Sequence, residues 1–344
     1  MDFAINNHKR NFKIDLLRFI GLFLIVLAHV DAPWVVNQFR CFDVPLMVFV
    51  SGLCFKPSYG SVIKYLWKRF KRLYIPTFIF LCIFFTFILF IGYLNIRIPY
   101  SKAQIIGTFF LMEAPSIGYV WIIRVFILMA LISPFLYNFS LKRHYIIIAI
   151  LIIVFLLQNY LVGVTPIYNN IYLNFFVDEI ILYLIGYGII LEVSFLLKKL
   201  DNKWKSFLIT ISLLLLAALI IWEISNKFIL PISQLYKYPP RSYYIIYGII
   251  VSIILFLSPL DKIFQKIKKV SKLISFISKH SLWIYLWHIP FVILLNVFLN
   301  EDLWALKWII GISGASMVMA IQILIFESAA KKFNKLNNYR LYLI

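Results

Sequence analysis

Ten apolar stretches follow one another along the chain, at about 16–35, 42–57, 74–94, 118–137, 145–163, 174–192, 206–224, 243–260, 281–299 and 305–327. A hydrocarbon core of ~30 Å takes about 20 helical residues to cross, and a backbone in lipid must satisfy its polar groups within its own segment. The stretches therefore predict an all-α polytopic membrane protein, a bundle of about ten transmembrane helices, of which the second is the shortest. Little sequence is left for a separate soluble domain. Of the 344 residues, 63% are hydrophobic and 14% charged, too few polar groups to cover a water-soluble surface, so residues 1–344 are read as one membrane domain.

The formal net charge of +20 would suggest nucleic acid in a soluble protein, but its placement points to the bilayer. With the N-terminus in the cytoplasm, 25 of the 34 Lys and Arg residues fall in cytoplasmic segments. Lys68, Arg69, Lys71 and Arg72 are among them, as are the lysines from Lys262 to Lys279. Arg40, Arg97, Lys102, Lys227, Lys237, Arg241 and Lys307 fall on the opposite side, and Arg18 and Arg124 lie within spans. Every connection then alternates as the positive-inside rule requires for ten crossings with both termini cytoplasmic. The expected partner is the lipid bilayer and not nucleic acid, with the 262–279 segment on anionic headgroups. Cys41, Cys54 and Cys82 show no metal-ligand or disulfide spacing, so no metal site is expected. The first stretch follows Lys9, Arg10 and Lys13 as in a signal peptide, but without a convincing small-residue cleavage site, and it reads as a retained helix.

Arg18 and His29 break the first apolar stretch eleven residues apart. At 100° and 1.5 Å per residue the separation is three turns plus about 20°, with a rise of ~16 Å, so both lie on nearly one face. Ionisable groups in a bilayer cost several kcal/mol unless they face a bundle interior or a wet cavity. Taken alone, the pair also fits an arginine reaching back to the headgroups and an interfacial histidine.

The pair stands in IDLLRFIGLFLIVLAH. It is followed in order by VPLMVFVSG (44–52), KRFKRLYIP (68–76), WIIRVFILMALISP (121–134), YPPRSYYIIYG (238–248) and SLWIYLWHIP (281–290). In these motifs the chain resembles the membrane acyltransferase-3 family, which O-acylates sugars of the cell envelope; an arginine and a histidine with ten residues between them in the first span are its most specific marker. Two positions depart from the family pattern: Asp43 stands where members often carry a histidine, and Arg124 where an apolar residue is expected. The resemblance implies an integral membrane O-acyltransferase in the cell (inner) membrane of a bacterium. It would move an acyl group, acetyl being the expected case, from cytosolic acyl-CoA to a sugar hydroxyl of an envelope glycan or its lipid-linked precursor. Acetyl-CoA would be a donor substrate, with no cofactor permanently bound.

The residues support such chemistry on their own terms. Guanidinium forks match phosphate oxygens, so Arg18 with Lys68, Arg69, Lys71 and Arg72 forms a basic mouth for the donor. The pantetheine arm would run along the first helix past Leu22, Ile25 and Val26, with Phe23 pointing elsewhere, and bring the thioester to His29. That histidine would act either as general base or as acyl carrier. Its other ring nitrogen needs a partner, for which Asp31, Asp43, Glu113, Asp178, Glu179 and Glu327 are the acidic candidates. Ser51, with Gly52, either packs helices or lets the donor arm approach. Asp43, His288 and Arg241 are candidates to line an acceptor cavity, Arg241 against an anionic lipid-linked sugar; His288 also fits an aromatic belt with Trp283 and Trp287. The competing reading is a transporter or flippase for a sugar-lipid or small anionic solute, because Arg18, His29, Arg124, Asp178 and Glu179 inside a bundle are what a carrier presents. No internal repeat supports it.

Overall fold

The computed structural model describes residues 10–57, 61–93, 100–140, 144–164, 171–227 and 236–344. Lys9, Arg97, Lys142 and Arg143 of the charge pattern lie outside them. Ten principal helices among the described residues overlap the ten apolar stretches: α1 (Phe12–Leu27), α2 (Asp43–Cys54), α3 (Val62–Tyr93), α4 (Trp121–Ser140), α5 (His144–Val164), α6 (Leu182–Leu197), α7 (Asn202–Lys227), α8 (Ser242–Leu257), α9 (Ser281–Phe298) and α10 (Trp304–Lys332). Among the described residues there is no strand. Six helices among the described residues are long and apolar enough to cross a membrane, and a seventh counts if Ser242–Leu257 and Leu260–Lys266, bent by 51°, form one span.

The shortfall against ten lies mainly in α1 and α2. With 16 and 12 residues, they span ~24 and ~18 Å at 1.5 Å per residue, less than a hydrocarbon core. Both are central. Eight of the twelve α2 residues are buried, and such a helix, wrapped in protein, is free of the length that lipid imposes. α6 is buried almost throughout, whereas Leu213, Leu214 and Ile221 on α7 and Met317, Leu324 and Ile325 on α10 are exposed. Apolar side chains on the outside and a packed interior are what a bundle in lipid requires. α1 packs on α2, α2 on α6, and α9 on α10.

The boundaries of α1 shape the site. Asn11 caps its start, its side chain accepting from the Lys13 amide at 3.0 Å. The helix ends at Leu27 rather than continuing to 35, and a tightened turn follows in which the His29 amide donates to the Val26 carbonyl at 3.1 Å. Asp31 then takes φ = 54°, a left-handed conformation that aspartate tolerates better than most residues. Lys307 holds its carboxylate at 3.0 Å. The chain so reversed forms the short helix Trp34–Arg40 and returns into α2.

Candidate active site

Two neighbouring cavities occupy the centre of the bundle. The first, about 370 Å³, contains Arg18, Ser51, Arg69 and Arg72 in its wall, together with Ser278 and Lys279. Residues from α1, α2, α3 and the helix Lys268–Lys279 thus converge on one basic mouth. Arg18 does not reach for the headgroups. Its guanidinium is held by Ser278 Oγ at 3.4 Å and Cys54 Sγ at 3.3 Å, with Asp15 one helical turn away at 4.0 Å. Asp15 is buried and takes further bonds from Arg10 at 2.5 Å and Ser278 at 2.9 Å. A buried carboxylate of this kind fixes both the charge and the direction of the arginine beside it.

On α3, Tyr65, Arg69 and Arg72 line the cavity, but Lys68 and Lys71 do not. Residues three and four apart share a helix face, and the two lysines fall off it; Lys71 lies over Trp67 instead, at 5.5 Å. Ser51 and Gly52 also separate in role. Ser51 faces the cavity, whereas a Cβ on Gly52 would come within 1.8 Å of Ser194 Oγ on α6, so the glycine is there for close helix approach. The helix Lys268–Lys279 presents Lys268, Lys269 and Lys272 outward while burying Ile274, Ile277 and Ser278, and its end forms part of the mouth.

The second cavity, about 110 Å³, contains His29, Arg40, Asp43, Tyr119, Trp121 and Lys237 in its wall. Ile25, Ile122 and Tyr285 line both cavities and form the partition between them. Leu22 and Ile25 face the path from Arg18 to His29 as the helical spacing predicts, but Val26 does not. It is fully buried, with its Cγ1 against Gly311 of α10. Phe23 packs edge-on against Trp308 at 5.7 Å.

The partner of His29 is none of the acidic candidates. His29 Nδ1 lies 3.1 Å from Nε2 of His288, and the two rings stack at 5.2 Å. His288 is completely buried on α9 and lines neither cavity; its Nδ1 is hydrogen-bonded to the Tyr285 carbonyl. That carbonyl only accepts, so His288 carries its proton on Nδ1 and offers the Nε2 lone pair. His29 must then donate from Nδ1. The chain of bonds fixes the tautomer and leaves His29 Nε2 with an unprotonated lone pair, the form that a base or nucleophile needs. Asn296 holds the His29 carbonyl at 2.9 Å, and Tyr119 lies against the ring at 4.7 Å.

Five of the six acids are engaged elsewhere. Asp31 pairs with Lys307, Glu327 with Arg340 at 2.9 Å, and Glu113 accepts from Tyr183 at 2.5 Å. Glu179, in a π-helical turn at Val177–Ile181, pairs with Arg124, which accounts for the unexpected arginine in α4: the two charges neutralise each other inside the bundle. Asp43 is buried between Arg40 at 2.7 Å and Lys237 at 3.5 Å. Arg241 is exposed beside Tyr236 and lines neither cavity. The cations at the inner chamber are therefore Arg40 and Lys237, residues that charge placement alone marks only as outer-side.

Fold and site together define a helical membrane protein with an internal, basic-mouthed cavity that leads to a histidine pair. The acyltransferase-3 family, described as an acyltransferase domain, matches residues 11–327. The chain belongs to that family and is an acyltransferase. No curated protein and no solved structure matches it.

Proposed function

We propose that this acyltransferase moves an acyl group, acetyl being the expected case, from cytosolic acyl-CoA to a sugar hydroxyl of an envelope glycan or its lipid-linked precursor. It would do so in the cytoplasmic membrane of a bacterial cell, through ten crossings with both termini inside. One observation carries the reading: the basic cavity with Arg18, Arg69 and Arg72 meets the chamber of His29 across a partition of Ile25, Ile122 and Tyr285. An acyl-CoA has matching parts, with phosphates at one end and a thioester at the tip of a thin arm. Paired guanidinium groups suit the phosphates, and the ~16 Å helical rise from Arg18 to His29 is of the order of the arm's length.

His29 Nε2 accepts the proton of the acceptor hydroxyl as its oxygen attacks the thioester carbonyl. The oxygen–carbon bond forms, the tetrahedral carbon collapses, the carbon–sulfur bond breaks, and the departing thiolate takes the proton back from Nε2. The products are the ester and the CoA thiol. While His29 is an imidazolium, its Nδ1–H bond to His288 is charge-assisted and therefore stronger, and the Tyr285 carbonyl supports His288 in turn.

The test compares envelope glycans by mass and NMR. A deletion strain loses an O-acyl ester that the wild-type gene restores and His29→Ala does not. Purified protein with labelled acetyl-CoA releases CoA only when His29 is present. Wild-type acylation by a well-expressed His29→Ala variant would sink the reading, while label left on the denatured wild-type protein after donor alone would make Nε2 an acyl carrier.

A further inference from the structure

The inner chamber carries more positive charge than the protein around it neutralises. Arg40, Asp43 and Lys237 are 2%, 1% and 3% exposed, so two cations share one carboxylate. Asp43 Oδ2 takes Arg40 Nη1 at 2.7 Å and Lys237 Nζ at 3.5 Å, and its Oδ1 is occupied by the Val44 amide at 2.7 Å. Arg40 Nε is bound to Asn37 at 2.7 Å, but its Nη2 is buried without a hydrogen-bond partner among the described residues. Lys237 has a single hydrogen-bond acceptor there, Asp43, with the rings of Tyr238 and Trp121 at 5.5 and 5.7 Å.

The lysine lies in the turn before α8. Burial is the largest influence and works against its charge, but Asp43, with smaller contributions from Tyr238 and Cys41, outweighs it in sum and leaves the pKa raised above the ordinary value. Of the other acids, Asp31 pairs with Lys307, and Glu113, which accepts from the neutral Tyr183 hydroxyl, acts on Lys237 only through space while burial raises its pKa toward the neutral form. An uncompensated buried cation is strongly destabilising, and an unmet guanidinium N–H adds to the penalty.

We propose that this chamber is the acceptor subsite for an anionic group, a carboxylate or a phosphate, carried on the sugar beside the hydroxyl to be acylated. The inference rests on the acyl-transfer reading and narrows its acceptor class. The chamber, about 110 Å³ against the ~10–15 Å³ that a cavity needs to hold one water, has room for such a group together with the part of the sugar that carries it. Arg40 and Lys237, both in the chamber wall, supply the charge, and Tyr119, Trp121 and Tyr238 supply apolar faces for the adjoining ring. A transition-state oxyanion would offset the surplus charge only for the instant of reaction, whereas a substrate anion offsets it in every bound state.

The experiment is calorimetric titration of the full-length protein in nanodiscs with glucose 1-phosphate, glucuronate and neutral glucose. At least one charged probe should bind at least about tenfold more tightly than glucose, the equivalent of one charge-assisted contact, and the two charged arms tell phosphate from carboxylate. Lys237→Met should weaken that binding about tenfold or more, and Lys237→Arg should keep most of it. Ala28→Glu places a carboxylate in the chamber wall, leaves the cations paired and should abolish binding even where Lys237→Met fails to fold. Equal affinity for glucose and both charged probes overturns the proposal. So does unchanged probe binding in a folded Lys237→Met or Ala28→Glu variant, including one that has lost turnover, which would make the cations oxyanion donors. Failure of the probes with acetyl-CoA binding and His29-dependent turnover intact removes only the subsite; a wild-type protein that does not bind acetyl-CoA removes the acyl-transfer reading as well.

Discussion

At the scale of single residues, the two ends of the site call for different kinetic signatures. Loss of the Nε2 base in His29→Ala should lower turnover by about 10²–10⁴. His288 touches neither cavity, so it acts by positioning: His288→Ala should lower kcat by about 10–100-fold with the donor KM unchanged. His288→Gln, which retains an acceptor and a donor, should recover part of the loss. A His288→Ala variant that shifts donor KM and kcat together would instead point to general unfolding of the site. Arg18→Lys should raise the donor KM by about tenfold with a smaller change in kcat, because an ammonium does not reproduce a fork, and Arg69→Ala and Arg72→Ala should have weaker effects. Acetyl-CoA titrations with each variant check this. Arg18, Ser51, Arg69, Arg72 and His29 are legible in the sequence because they lie at helical spacing or within recognisable motifs. The role of His288 is not, since 259 positions separate it from His29 and helical periodicity speaks only about its own element. Asp15 is a nearer miss: three residues before Arg18, it shares that arginine's face.

At the scale of elements, the path along α1 and the seam between α2 and α6 give the sharpest tests. Ile25 belongs to both cavity walls, so Ile25→Trp should block the donor arm and cut turnover while Arg18 and His29 stay in place. Phe23→Trp, on the face turned to Trp308, should leave the donor KM unchanged; a matching loss at both positions would show that packing and not access was damaged. Gly52→Ala drives a methyl group into Ser194 Oγ. Such overpacking costs about 1–3 kcal/mol, read as a lower thermal midpoint, and Ser194→Ala should restore part of it. The sequence marks Gly52 as small but not what it meets, because the tight contact belongs to a helix about 140 residues away. The end of α1 is equally hidden: apolar residues continue past Leu27, and only the turn through Asp31, fixed by Lys307 from α10, stops the helix there.

At the scale of the whole molecule, apolar stretches announce every principal helix, but not which of them reach across a bilayer. Hydropathy treats a segment walled by protein like one bathed in lipid, and α1 and α2, shorter than the hydrocarbon core, pack against neighbouring helices that relax the length lipid otherwise demands. Their orientation rests on charge. If the positive-inside pattern governs, the donor mouth opens to the cytoplasm, and the two ends of the α9–α10 hairpin lie on opposite sides of the membrane: Lys272 before α9 inside, and Asp302, in the turn Glu301–Leu303 between the helices, outside. Both are exposed, so cysteines placed there report directly. With a membrane-impermeant maleimide on intact cells, Asp302→Cys should label at once and Lys272→Cys only after permeabilisation. The wild-type chain serves as the control for Cys41, which is buried, Cys54, which lines the basic cavity, and Cys82, which is exposed on α3. Labelling of Lys272→Cys in intact cells would turn the bundle over. The basic mouth would then face away from the cytosolic pool of acyl-CoA, and the path from Arg18 to His29 would have to start from a donor of another kind.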